Sequence, residues 1–507
     1  MTGNDILLTG HLQQRIEAAL GHVPTHEQRA AMDVFVRFLA DPSPQACMVL
    51  RGAAGTGKTT LAAAIVNAML QKRQRLVLLA PTGRAAKVFS LYASHPAFTI
   101  HRRIYRQKSA AEPMSSFKLA VNQLSNVLFI VDEASMIANG SEGPDHFGSG
   151  SLLDDLISYV YQGNNCRLML IGDAAQLPPV GEEESPALSA EVLRYYGLVV
   201  HEARLNEVLR QSQQSGILYN ATAIRQMMRP DGETVWNGDS YEHVPSMMPR
   251  VRLQGFSDIS VVRGDELIEQ LASSYSHAGM DDTIVVTRSN KRANIYNRGI
   301  RNTILDREEE LCRGDRLMIV KNNYYWTEKL QTDNESKAIP FLANGDYCVV
   351  QRVRNVRELY GFRFADVTIQ MPDYDDIELT CTLLLDTLTT EAPALTREQQ
   401  EQLYQKVMED YDSDDEPALA KRSSRSEMVK KDPYYNALQV KYGYAVTCHK
   451  AQGGQWAHVY IDQGYMTDDM LTSSYLHWLY TAFTRATEHL YLVNWPDTQT
   501  LIARDNE

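Results

Sequence analysis

CMVLRGAAGTGKTTLAAAIV, residues 47–66, is the stretch on which the reading of the whole chain turns. Met48, Val49 and Leu50 form an apolar run of the kind that makes a buried strand, and LAAAIVNAML after it has the composition of a helix. Between them stands G-x-x-x-x-G-K-T: Gly52, Gly55, Gly57, Lys58 and Thr59. Glycines there let a turn bring backbone N–H groups up to phosphate oxygens. The helix behind adds its own unpaired N–H groups and the positive end of its dipole. In such a loop Lys58 reaches the β- and γ-phosphates and the Thr59 hydroxyl coordinates Mg²⁺, with Thr56 and Thr60 completing the candidate nucleotide contacts. A strand before and a helix after make a chance glycine-rich turn the weaker explanation.

Composition bounds what can be attached to such a loop. At 507 residues the chain exceeds one core, and two to four domains are expected. No segment approaches about 18 uninterrupted apolar residues, so no membrane span is predicted. The first twenty residues lack the basic flank and apolar core of a secretion signal. Six scattered cysteines without a C-x-x-C pair argue against zinc and disulfide frameworks and fit a reducing cytoplasm. The net charge of −13 excludes a uniformly basic surface. It does not exclude nucleic acid, because binding needs a local positive groove and not a positive total.

Taken in order, residues 11–40 carry helical spacing on either side of PTHEQRAA. Thr25 and Gln28 have capping-box spacing, and Gln28 could instead face an adenine edge; spacing alone favours the cap. RLVLLAPTGRAAKVF, 75–89, reads as a strand and a helix that leave Thr82, Arg84 and Lys87 at the strand's carboxyl end, where ligands bind in open α/β sheets. Residues 99–125 are polar and basic with a turn near Glu112 and Pro113, which suits either a β-hairpin excursion or a surface loop. VLFIVDEAS, 127–135, is a third strand that delivers Asp132 and Glu133. One carboxylate there can hold Mg²⁺ and the other polarise the attacking water. A fourth strand, RLMLIGD, leads to Gln176, placed to sense a γ-phosphate, and VVHEARLNEVLRQ ends on Arg210 and Gln211.

A second strand–helix series opens near residue 283. After Thr303, alternating segments around Asn344, Gly345 and Asp346 suggest a small antiparallel barrel. Residues 391–408 look helical, and the charge blocks of 409–431 read as a solvated linker. The sheet pattern resumes at 438–462, and YLHWLYTAFTRATEHLYLVNW, 475–495, completes it.

In this order and spacing the blocks resemble the RecD-like and Dda-like branch of superfamily 1 helicases, over most of the chain. GDAAQLPPV, VTCHKAQGGQW and YTAFTRATEHL are the diagnostic motifs. The resemblance implies an α/β fold with two RecA-like parallel-sheet domains of the P-loop NTPase type. Residues 1–205 would form the first, carrying a pin-like hairpin insert at 103–124. Residues 206–302 and 436–507 would form the second, with an SH3-like β-barrel inserted at 303–435. It makes Gln28 the adenine contact, Lys58 and Thr59 the phosphate and Mg²⁺ contacts, Asp132 the metal holder and Glu133 the general base. Gln176 would couple the γ-phosphate to DNA, and Arg210 and Arg485 would act as arginine fingers. Thr82, His101, Thr447 and His449 match positions along the single-strand path, with Arg84 beside them, and Gln452 and Gly453 would link that path to the nucleotide. The chain departs from relatives at Gln455, where many have Glu, and at Gly83, where Dda-like members carry His.

The implied activity is ATP-dependent, Mg²⁺-supported 5′→3′ movement on single-stranded DNA with duplex separation at junctions, by a cytoplasmic monomer. Alternatives are a translocase that strips bound proteins, or an ATP-dependent switch without unwinding. RNA remains open as substrate, since phosphate contacts and stacking do not themselves exclude a 2′-hydroxyl.

Overall fold

A computed structural model describes residues 3–107, 117–140, 148–208, 214–228, 234–236, 241–243, 247–327, 341–411, 425 and 428–501. These fall into two compact units. One comprises the described residues within 1–105, 119–264 and 451–507, the other those within 106–118 and 265–450.

The first unit is built on a parallel sheet whose strands are β1 (Ala46–Gly52), β2 (Arg75–Ala80), β3 (Ala97–Thr99), β4 (Val127–Val131), β5 (Arg167–Gly172) and β6 (Val199–Leu205). Their spatial order is β3-β2-β4-β5-β1-β6. The strands of 127–131 and 46–50 are buried at every position, as expected of parallel strands covered on both faces. Helices α1 (Gly3–Leu20), α2 (His26–Ala40) and α3 (Lys58–Gln71) pack on the sheet through a core that includes Ile16, Phe35, Leu50, Ile65 and Ile171. Thr25 and Gln28 form the capping box at the start of α2 that their spacing predicts. Helix α4 (Gly83–Ala93) follows β2. The same unit contains a second parallel set in which Ile259–Val262 and Trp456–Asp462 flank Ala486–Val493. The apolar helix Ser473–Phe483 also belongs to it.

The expected hairpin excursion begins with Tyr105–Gln107 and ends with Phe117–Leu119, which pair as a two-stranded sheet. Its tip, 108–116, lies outside the described residues. The ends of 103–124 are more deeply anchored than their polar composition suggests. Ile104 and Tyr105 are buried, the Tyr105 hydroxyl donates to Asp155 at 2.7 Å, and Asn122 donates to the Tyr159 carbonyl at 3.0 Å.

In the second unit Thr283–Thr287 pairs in parallel with Ala445–Thr447. Five strands, Arg316–Ile319, Tyr347–Leu359, Phe362–Met371, Ile377–Leu384 and Leu438–Tyr442, close into a barrel. The long hairpin turns at Tyr360 and Gly361, both at positive φ (58° and 79°). A two-residue turn needs that backbone to match the twist of its strands. Helix Arg397–Asp410 seals the barrel with Leu403 and Val407 against Phe362, Phe364 and Leu384. The α/β pattern that resumes at 438 in the sequence divides in the structure. Leu438–Tyr442 is the fifth barrel strand and only Ala445–Thr447 joins the parallel pair. Gly443 makes the passage between them, because a Cβ there would meet Tyr347 Cε1 at 2.8 Å.

Candidate nucleotide site

The loop after β1 folds as a phosphate cradle. Gly55 and Gly57 sit at φ 73° and 79°. Side chains seldom tolerate that region. A Cβ at Gly52 would strike Lys58 Cγ at 2.7 Å. Lys58 opens α3, and its Nζ donates to the carbonyls of Gly52 and Ala53, the latter at 3.0 Å. Those are neutral acceptors that an anionic phosphate can displace. Thr56 is buried and donates to the Ala53 carbonyl at 2.7 Å. Gln28 serves its cap and also the loop. Its Oε1 accepts from the Thr25 N–H at 3.1 Å while Nε2 donates to the Thr56 carbonyl at 3.4 Å. The buried amide thus caps α2 and braces the phosphate loop at once.

Asp132 and Glu133 follow β4, as expected. The Glu133 N–H donates to Asp132 Oδ1 at 2.9 Å, and Glu133 occupies the left-handed region at φ 52°. A non-glycine residue held there is strained, and such strain concentrates at functional sites. Burial, then the neighbouring Glu133 charge, push the Asp132 carboxyl up to about 7, against the pull of Lys58. Hydroxyl and carboxylate oxygens at Thr59 and Asp132 are the hard donors that suit Mg²⁺. Among the described residues no group of three His, Cys, Asp or Glu side chains gathers to hold a metal by protein ligands alone.

Asp173 follows the next strand and was not singled out in the sequence, although GDAAQL placed it there. Its Oδ1 accepts from the Ala175 N–H at 3.0 Å and its Oδ2 lies 3.9 Å from Lys58 Nζ. Gln176 is buried and its Oε1 has no hydrogen-bond partner among the described residues. A buried amide left one partner short suits a group that completes its bonding with a ligand or its water.

The segment 173–177 is laced to helix Ser473–Phe483. His477 Nδ1 meets the Ala175 carbonyl at 2.9 Å, Thr481 Oγ1 accepts from the Leu177 N–H at 2.7 Å, and Tyr480 donates to Asp173 at 2.6 Å. Gln452 adds a bond from Nε2 to the Leu177 carbonyl at 2.6 Å. Arg485 is buried, and its guanidinium donates to the Thr481 and Gly454 carbonyls, both at 3.0 Å, and to Thr484 Oγ1 at 3.1 Å. In this conformation it is a structural clamp, and contact with a nucleotide requires it to exchange those partners. Arg210 lies outside the described residues.

The residues expected along a strand path have local duties too. Thr82 Oγ1 caps α4 by accepting from the Ala85 N–H at 3.2 Å. Arg84 donates to the Gln455 carbonyl at 2.9 Å and lies 4.3 Å over the Trp456 ring. Gly453, at φ 72°, lets the chain pass Thr82 closely, since a Cβ there would lie 3.0 Å from Thr82 Oγ1. His101 lies on the short helix Ile100–Ile104, and burial lowers its pKa to about 4, so it is neutral at physiological pH. In the second unit, Thr447 ends its strand beside Thr287. His449 follows, held below its ordinary pKa by burial and then by the charge of Lys450.

Two family models match this arrangement: an AAA domain over residues 24–236 and a UvrD-like helicase C-terminal domain over 442–493. The chain is 31% identical over 133 residues to the ATP-dependent RecD2 DNA helicase of Deinococcus radiodurans, covering 26% of this chain and 16% of that protein. It is 30% identical over 235 residues to the RecBCD enzyme subunit RecD of Mycobacterium tuberculosis, covering 41% and 35%. The ATP-dependent DNA helicase dda of Enterobacteria phage T4 is 24% identical over 318 residues, covering 62% and 65%. The chain thus spans well under half the length of the two RecD relatives. The two models match in order along the chain, the first spanning the phosphate loop, the Asp132–Glu133 pair and Gln176, and over these parts the chain is similar in sequence to the RecD and Dda helicases.

Proposed function

We propose that this chain is an ATP-driven DNA helicase that moves 5′→3′ along single-stranded DNA and separates duplex ahead of it. One observation carries the reading. Lys58, Asp132 and Gln176 follow β1, β4 and β5, which run parallel in one sheet with β5 between the other two. All three residues therefore leave the sheet at the same carboxyl edge, where such sheets bind ligands. Lys58 and the loop amides bind the phosphates, Thr59 and Asp132 hold Mg²⁺, and Gln28 contacts the base. Glu133 accepts the proton of the attacking water, and Gln176 carries the state of the γ-phosphate to Gln452 and Gly453. Arg210 and Arg485 supply positive charge where negative charge develops in transfer.

Thr82, Arg84, His101, Thr447 and His449 line the strand, which is held through phosphates and stacking and so with little sequence preference. The domains follow 1–205, 206–302 with 436–507, and 303–435, and the protein acts as a cytoplasmic monomer. Strand displacement on 5′-tailed, 3′-tailed and blunt DNA, with a matched RNA-tailed arm and phosphate release measured alongside, tests the reading. Unwinding of the 5′-tailed substrate with DNA-stimulated release is expected. Stimulated release without unwinding points to a translocase, and ATP binding without stimulation to a switch.

A further inference from the structure

Tyr480 lies in helix Ser473–Phe483, 1% exposed, and none of the roles above uses it. Its hydroxyl donates to Asp173 Oδ2 at 2.6 Å and accepts from the N–H of Ala54, a phosphate-loop residue, at 2.9 Å. The same Oδ2 stands 3.9 Å from Lys58 Nζ. That separation is too long for a hydrogen bond, although two charges so little exposed attract strongly. One carboxylate oxygen therefore faces two donors, and the tyrosine hydroxyl has it. Lys58 turns instead to the Gly52 and Ala53 carbonyls, which hold it without neutralising it. Burial, reinforced by the Asp173 charge, raises the Tyr480 pKa well above its ordinary value, so the hydroxyl remains a donor.

We infer that Tyr480 is a positioning residue of the nucleotide site, whose hydroxyl holds Asp173 off Lys58 and so keeps the lysine available to phosphate. The inference rests on the nucleotide-site reading above. Without the hydroxyl, Asp173 Oδ2 has Lys58 as its nearest ionic partner, and a shift of about 1 Å closes a direct, charge-assisted bond. Phosphate must then break that bond before it can bind. The Ala54 N–H released by the same change acts in the opposite sense, and it does so whatever stands at 173.

The test is equilibrium binding of a fluorescent non-hydrolysable ATP analogue with Mg²⁺ to the full chain without DNA. Wild type, Tyr480→Phe, Asp173→Asn and the double variant are compared, each with its melting temperature. Tyr480→Phe is expected to weaken binding about tenfold, the worth of one hydrogen bond to a charged group. Asp173→Asn alone should bind at least as tightly as wild type. In that background Tyr480→Phe should no longer weaken binding, since no carboxylate is left to trap Lys58. A merely structural tyrosine would weaken binding equally in both backgrounds, and that result overturns the inference. Tyr480→Phe binding within about twofold of wild type, or weaker binding by Asp173→Asn alone, overturns it as well. If Tyr480→Phe does not fold, weaker binding by Asp173→Asn alone still overturns the inference. Wild type that binds no nucleotide overturns the site reading itself, an outcome distinct from all of these.

Discussion

Asp346 is a carboxyl that burial pushes up to about 7, although it accepts from the Ala343 N–H at 2.8 Å and the Tyr374 hydroxyl at 2.9 Å. Between the ordinary value of 3.8 and about 7, the folded chain keeps a proton that the unfolded chain has lost. This contribution to stability is therefore full at low pH and lost as pH rises through the folded value. Asp346→Asn keeps an acceptor and removes the charge, so its melting temperature should match wild type near pH 4 and exceed it near pH 8. Equal melting at both would show that Asp346 is not held neutral. Lys58→Ala should abolish ATP hydrolysis and leave single-strand binding intact in a filter-binding assay, because its hydrogen-bond partners, the Gly52 and Ala53 carbonyls, belong to the phosphate loop. Substantial hydrolysis by the purified variant would sink the phosphate-loop assignment. Arg485→Ala should do two things. Loss of the buried guanidinium strands the Gly454 carbonyl and leaves the Thr481 carbonyl only the Thr484 hydroxyl, at 3.0 Å. That should cost about 3 kcal/mol of stability in a thermal melt. DNA-stimulated phosphate release should fall about 10²–10³-fold if the same group completes the site. Loss of stability with full turnover would leave Arg485 a clamp only.

At the scale of elements, the passage from the barrel strand Leu438–Tyr442 to the parallel strand Ala445–Thr447 ties the barrel to a proposed strand contact. Asn297 pins that passage by donating to the Ala445 carbonyl at 2.9 Å and accepting from the Ala445 N–H at 2.8 Å. The passage also runs against Tyr347 of the barrel, where there is no room for a Cβ at Gly443. Gly443→Ala should therefore cost about 1–3 kcal/mol through overpacking. It should shift Thr447 and weaken single-strand binding while ATP-analogue affinity stays at the wild-type value. Unchanged strand affinity would detach Thr447 from the strand path.

For the whole molecule, the pin role proposed for residues 103–124 is what would distinguish unwinding from mere translocation. Ile104, Tyr105 and Asn122 are anchored in the first unit, so the replaceable part is 106–118. Exchanging 106–118 for a short Gly-Ser turn should spare folding and DNA-stimulated ATP hydrolysis. Displacement of a duplex strand should fall by at least about tenfold, roughly 1.4 kcal/mol of barrier. Normal displacement beside normal hydrolysis would falsify the wedge role.

The sequence by itself determined the features that depend on local chemistry. The phosphate loop, the strands that carry Asp132 and Gln176, the capping box at Thr25 and the barrel's alternating strands were legible, because glycine placement, apolar runs and period-two patterning act over a few residues. What the tertiary structure decided is which polar side chains meet across long separations. Asp173 and Tyr480 are 307 positions apart, and no periodicity links them to Lys58. The same holds for Arg485, whose motif suggests a finger but whose guanidinium folds onto Gly454, 31 positions away. It holds for Leu438–Tyr442, an apolar strand whose place in the barrel depends on pairing with Arg316–Ile319. Motifs name the groups a site needs; burial and packing determine which of them already have partners.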